Sequence, residues 1–286
     1  MFYLTLASLI WSVSFGIVGK VLAGLPPAGL AMIRLAIATV LFLPFVRPAS
    51  LRVNVALIGI GAVQFGIMSL TYMYSFRYLE SHEVALFTVM TPVYVAVISD
   101  CFQHRFRAVN LCAACVAVTG AGVILLLKDG APGLSLVGFL LVEVSNLCFA
   151  LGQLLYREVF ARSAQPLADH QRFFWLYLGG FAATLPLGFR DIGFVTALTS
   201  QQWLALVFLA VIVSGLSYFL WNSGARKVTA GTLAVMNNLK IPLAVLASLL
   251  FFDETMNLYG FTAGLLLMAV ALWLPHLQKK KTHIIE

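Results

Sequence analysis

Charge is what this sequence has least of. Only 10% of its 286 residues are charged. A soluble domain keeps its surface wet with about a quarter, so a chain this poor in charge cannot cover itself in water. Acid is scarcer than base, with 11 Asp and Glu against 18 Lys and Arg. The chain has no Gly-x4-Gly-Lys-Ser/Thr loop, which excludes ATP hydrolysis of the P-loop kind, and it has no HExxH or GxSxG. No acidic metal cluster occurs. An enzyme acting on a lipid phosphate would need His, Arg or Asp groups converging at one interface, and here the charges are scattered. The reading is non-enzymatic, with no catalytic residues and no cofactor. Cysteine is sparse too: Cys101, Cys112, Cys115 and Cys148. Cys112-x-x-Cys115 has metal-like spacing but no second pair nearby, so buried thiols are expected and no metal site.

What is present is apolar length. Hydrophobic residues make up 61% of the chain and the mean hydropathy is +0.96. Apolar runs cover residues 2–23, 28–46, 53–76, 83–99, 107–127, 134–156, 170–190, 201–222, 229–252 and 257–277. Most reach the roughly 17–25 residues that a helix needs to cross a bilayer. Lipid offers the backbone no partners, so such spans are helices; strands of an outer-membrane barrel would be shorter and would alternate in polarity. The expected fold is all-α and integral to the membrane, with ten transmembrane helices. The first run lacks a basic leader and a small-residue cleavage site, so it is kept as a helix rather than a signal.

The basic residues sort by side. With a cytoplasmic N-terminus, the inner segments hold Arg47, Arg52, Arg105, Arg107, Arg157, Arg162, Arg172, Arg226, Lys227 and Lys279–Lys281, against Lys20, Arg77, Lys128 and Arg190 outside. This distribution predicts an inner-membrane protein with both termini cytoplasmic. It also explains the net charge of +7 without nucleic acid, since the cations face anionic lipid. Residues 279–286 form a basic tail. A homo-oligomer is compatible with the sequence but not specified by it.

Sliding the chain by 150 residues pairs Arg77 with Lys227 and Pro92 with Pro242, and an offset of 138 brings Ser8 opposite Asn146. Each half, 1–128 and 134–278, then holds five spans. An odd number inverts the second half relative to the first, as in secondary transporters with a midplane site. The marks Trp11-Ser-Val-Ser-Phe15, Met32-Ile-Arg34-Leu, Ser75-Phe-Arg77-Tyr-Leu, Val84-Ala-Leu-Phe-Thr and Thr91-Pro92 are followed by Ala225-Arg-Lys227, Pro242 and Phe251-Phe-Asp-Glu254. In these marks the chain resembles the drug/metabolite transporter superfamily, and within it the EamA permeases. The resemblance implies two inverted five-helix units around a central cavity lined mainly by helices one to four and six to nine. It also implies substrates that run from amino acids and other metabolites to drugs. The sequence departs from the family where Gln103-His104 stands opposite Asp253-Glu254, and at Lys240, where many members carry an acid before the proline.

Ionisable groups at mid-bilayer are costly and mark functional paths. Lys240 lies halfway along the ninth span, on one face with Asn237 and Ala244 and just before Pro242, which frees a backbone carbonyl. Pro92 and Pro242 are read as hinges. Glu143 heads a stripe with Asn146, Ala150 and Gln153; an acid there suits proton coupling, an ammonium partner or an ion pair with Lys240 or Arg34. Arg34 is expected to snorkel to the headgroups as a structural residue. Gln64 and Tyr218 are deep cavity candidates, Tyr94 adds a polar atom near Pro92, and Trp221 is a binding candidate that interfacial placement explains as well. Alternating access is the expected mechanism, with Lys240 drawing a carboxylate and Glu143 an amine. Amino acids or related metabolites therefore lead as substrates. Export of amphipathic cations or drugs, or a scaffold with no flux, are the alternatives.

Overall fold

A computed structural model describes residues 1–47, 50–79, 84, 87–104, 106–126, 135–162, 168–243 and 258–282. Outside the described residues lie the Phe251–Glu254 motif, Ala244, Arg105, Lys128, part of the Val84–Thr88 motif and the last four residues of the tail. All regular structure among the described residues is helical.

The first three helices are α1 (Phe2–Val21), α2 (Pro27–Phe45) and α3 (Leu51–Ser75). They are followed by α4 (Thr91–Gln103) and α5 (Ala108–Leu126). Next come α6 (Leu136–Arg162), α7 (Asp169–Gly188) and α8 (Ser200–Ala225). α9 (Ala230–Met236) breaks in a turn at residues 237–239 and resumes at 240–243, and α10 is Leu258–Thr282. α1, α2, α3, α6 and α8 are long and apolar enough to span a membrane.

Local chemistry sets the ends. Pro27 occupies the first helical position of α2, where its missing N–H costs nothing. Thr199 and Gln202 cap α8 reciprocally: Thr199 Oγ1 accepts from the Gln202 N–H at 3.2 Å, and Gln202 Oε1 accepts from the Thr199 N–H at 3.0 Å. α6 runs well past the apolar limit at 156, because Tyr156 and Phe160 pack on Phe173 and Arg172 of α7.

α2 and α3 lie along α7, α1 packs on α8, and α3 and α4 pack on α6. α9 sits against α4 and α5, while α5 and α10 pair with each other at one side. The α3–α7 contact is the closest: a Cβ on Gly61 would stand 1.8 Å from the Leu176 carbonyl oxygen, and one on Gly179 2.0 Å from that of Ile58. Only glycine permits backbones this near.

Among the described residues, three π-helical turns interrupt the rods: Ile17–Val21 in α1, Ala62–Ile67 in α3 and Leu209–Leu216 in α8. A π turn shifts the backbone pairing and often marks a functional site. In α8, other helices bond the carbonyls within the turn. The Tyr177 hydroxyl lies 2.7 Å from both the Ser214 and Gly215 oxygens, and Trp11 Nε1 lies 3.4 Å from that of Val213.

Candidate functional site

The breaks beside Pro92 and Pro242 meet. α4 is preceded by a 3-10 turn at Thr88–Met90 just before Pro92, and α9 breaks just before Pro242. Asn238 Nδ2 donates to the Val89 carbonyl at 3.1 Å and ties one break to the other. Irregular backbone at membrane depth is tolerated where protein buries it or where it lines a cavity, and both conditions hold here.

The cavity has a volume of about 70 Å³, below the roughly 300–1,000 Å³ of a formed small-molecule site, so it must widen to take a substrate. Its walls come from α1, α2, α3, α6, α8, α9 and the start of α4; α7 contributes nothing. Trp11, Phe15, Met68, Tyr72, Phe149, Val213 and Tyr218 give it a mainly apolar and aromatic surface, and Ser14, Thr88, Thr91, Ser145 and Asn146 supply neutral polar groups. Among the described residues, the charged members of the lining are two cations, Arg34 and Lys240.

Arg34 does not snorkel. It is 3% exposed and turns inward, where Nε and Nη2 donate to Ser214 Oγ at 3.2 and 3.0 Å and Nη1 lies 3.8 Å from Met73 Sδ. The π turn of α8 carries Ser214 to this position, and a sequence gives no sign of such a turn. Lys240 follows directly on the α9 break and is half-buried, with no hydrogen bond or ion pair to it among the described residues.

Of the residues expected at the site, Lys240, Asn146 and Tyr218 line the cavity. Asn146 is fixed on three sides: Nδ2 donates to the Phe87 carbonyl at 3.0 Å and to Glu143 Oε1 at 3.4 Å, and Oδ1 accepts from Thr91 at 3.1 Å. Glu143 stands one residue behind the lining, its other oxygen accepting from the Tyr94 hydroxyl at 2.7 Å. Neither Glu143 nor Tyr94 is part of the wall, and no ion pair joins Glu143 to Lys240 or Arg34 among the described residues. Asn237 is buried, with Nδ2 bonded to the Leu233 carbonyl at 2.8 Å.

Gln64 and Trp221 lie beyond the cavity, toward the C-terminal end of α6. Gln64 and Asn222 exchange amide hydrogen bonds of 2.9 and 3.1 Å, and Trp221 Nε1 donates to Gln153 Oε1 at 2.7 Å. Trp221 also packs on Trp11, with ring centres 4.8 Å apart. One further turn out, the Tyr156 hydroxyl donates to Asp169 at 2.7 Å, Asp169 pairs with Arg226, and Arg172 and Arg226 lie over Phe160. This end is shut by paired polar groups. Gln64→Leu should lower stability by about 1–2 kcal/mol, because it leaves the buried Asn222 amide without its partner. The double variant with Asn222→Leu should recover most of that loss in thermal melts of the purified protein.

A multi-pass helical membrane protein with a partly open, cation-bearing cavity is a carrier in architecture. The EamA-like transporter family model matches residues 1–126 and again 136–274, and the chain belongs to that family. It is 37% identical over 98% of its length, and 99% of the relative's, to a Pseudomonas aeruginosa protein named "Probable biotin transporter". It is 36% identical to the biotin transporters of Salmonella typhimurium and Escherichia coli K12, over 96% of this chain and 92% of each relative. A crystal structure at 16% identity shares the fold, with a TM-score of 0.73 over 98% of this chain and 97% of that one. The protein is a membrane transporter of small metabolites.

Proposed function

We propose that the chain carries a small amphipathic monocarboxylate of the biotin kind, by alternating access of two inverted five-helix units, 1–128 and 134–278. The units cross the membrane ten times, with both termini cytoplasmic. The observation that carries this reading is the pair of cations, Arg34 and Lys240, in a cavity whose other described lining residues are aromatic or neutral. Biotin has one carboxylate, an apolar chain and an uncharged cyclic urea. Those features match a cation, an aromatic surface and the hydroxyl and amide groups of Ser145, Asn146 and Thr91. The names of the relatives favour the same compound. An amino acid also needs an acceptor for its ammonium group, and Glu143, which would serve, is not in the wall.

The inverted repeat has independent support in the packing. If α1–α5 and α6–α10 exchange, α1 on α8 becomes α6 on α3, and α2 on α8 becomes α7 on α3; all four contacts occur. Equivalent residues touch at the centre: Met68 Sδ lies 3.9 Å from the Tyr218 hydroxyl, 150 residues on, and Trp11 meets Phe149 with ring centres 5.6 Å apart. A pseudo-two-fold axis through the cavity accounts for these pairs.

The test is flux of labelled biotin into proteoliposomes, with amino acids, biotin and biotin amide as competitors. Biotin should compete, and the amide and amino acids should not; competition by the amide equal to that by biotin would remove the carboxylate from the argument. Glu143, bonded to Tyr94 and Asn146 and not among the lining residues, is assigned to holding Asn146 rather than to proton exchange. Glu143→Gln should slow transport several-fold yet keep the parent's response to a pH gradient. Loss of that response would return Glu143 to proton coupling.

A further inference from the structure

We propose that this carrier is an exchanger: a carboxylate must occupy the cavity on each stroke, and the empty protein changes its facing slowly. The inference rests on the monocarboxylate reading above and extends it from what binds to how turnover is coupled. Two cations share the cavity without a compensating acid among the described residues. The guanidinium of Arg34 spends its donors on a hydroxyl and a thioether, both neutral. The amine of Lys240 has no polar partner among the described residues, and Glu143 is already engaged by Tyr94 and Asn146.

While the mouth is open, water reaches the half-buried amine of Lys240, whereas Arg34 is already buried. To change facing, the protein must pass through a state closed at both ends, with that water reduced and the aromatic walls against the cations. Isolating unpaired charge in a low-dielectric interior is expensive, and a bound counter-charge offsets part of the cost. Among the described groups, a monocarboxylate lowers the uncompensated charge from two to one at the moment of closure. The loaded protein therefore crosses the closed state more readily than the empty one. After release, return waits for a second carboxylate, so entry of one molecule is tied to exit of another.

Labelled biotin should enter vesicles preloaded with unlabelled biotin at least ~10-fold faster than vesicles holding potassium chloride, the ratio given by a barrier difference of about 1.4 kcal/mol. Equal rates into the two kinds of vesicle would overturn the proposal. A second measurement needs no flux. In a background with the four cysteines replaced by serine, Ser223→Cys places a thiol at the shut end, where Ser223 is 3% exposed. In nanodiscs without any carboxylate, maleimide labelling of this thiol should be slow, and Lys240→Met should accelerate it ~10-fold by the same relation. Labelling as fast in the Lys240-bearing protein as in the variant overturns the exchange mechanism. The labelling difference without any biotin flux would keep the mechanism and remove biotin as the substrate.

Discussion

Lys240→Met is expected to lower apparent affinity for the transported carboxylate by about 100-fold, while the protein accumulates normally and melts at the same temperature or higher. The two effects have opposite signs for one reason. Lys240 makes no hydrogen bond or ion pair among the described residues, so removing its charge leaves no group orphaned in the fold. Methionine keeps the volume and the unbranched stem. An uncompensated charge beside aromatic walls is a cost to the empty protein, so its loss is neutral or stabilising. Binding goes the other way, because a desolvated cation–carboxylate contact is worth about 2–3 kcal/mol, or some two orders of magnitude in Kd. Arg34 provides the contrast. Its replacement by methionine would also strip two donors from Ser214 Oγ, so lost affinity there would be mixed with lost packing. Retained affinity in Lys240→Met, measured by binding to the purified protein, would remove Lys240 from the site.

Much of the frame was legible from apolar length alone, because a bilayer imposes length on any helix that crosses it. The expected run at 28–46 is α2 at Pro27–Phe45, and 201–222 is the core of α8. Lys240, Asn146 and Tyr218 were picked out as polar residues within apolar runs, and they line the cavity. Direction was not legible. In helices apolar on every side, the faces toward lipid and toward protein carry the same residue types, so no periodicity reveals which way Arg34 or Glu143 points. Arg34 turns inward because a π turn in a distant helix sets Ser214 beside it, and Glu143 turns aside because Tyr94 and Asn146 both donate to it. The same uncertainty of direction hid the shut end. Gln64 was read as a cavity candidate and Trp221 as either a binding or an interfacial residue, yet each is already satisfied by a partner on another helix.

Gly179→Ala is expected to be, with Gly61→Ala, one of the two most damaging single-methyl changes in the described part of the chain. The new Cβ would sit 2.0 Å from the Ile58 carbonyl oxygen and 2.7 Å from its carbon, and both of these are backbone atoms. A clash with a flexible side chain can be relieved by a rotamer change, whereas this one requires α3 and α7 to separate. Separation is opposed by what lies on either side of the contact. Gly61 meets the Leu176 backbone in the same manner one turn away, and Phe65 stacks on Tyr177 with ring centres 5.0 Å apart. Overpacking typically costs about 1–3 kcal/mol where side chains can yield; with backbone on both sides the loss should reach or exceed the upper end. Gly61→Ala should behave alike, and the two losses should not add, since either one alone forces the same helices apart. Gly59 is the internal control: it lies in the same helix with nothing within 4 Å of its would-be Cβ. Gly59→Ala should therefore leave the melting temperature unchanged or raise it slightly, as a helix gains from alanine over glycine. Equal melting temperatures for Gly179→Ala and Gly59→Ala would mean that α3 and α7 do not approach this closely in the folded protein. The route by which α7, itself outside the cavity wall, holds α2, α3 and the π turn of α8 around the two cations would then have to be sought elsewhere.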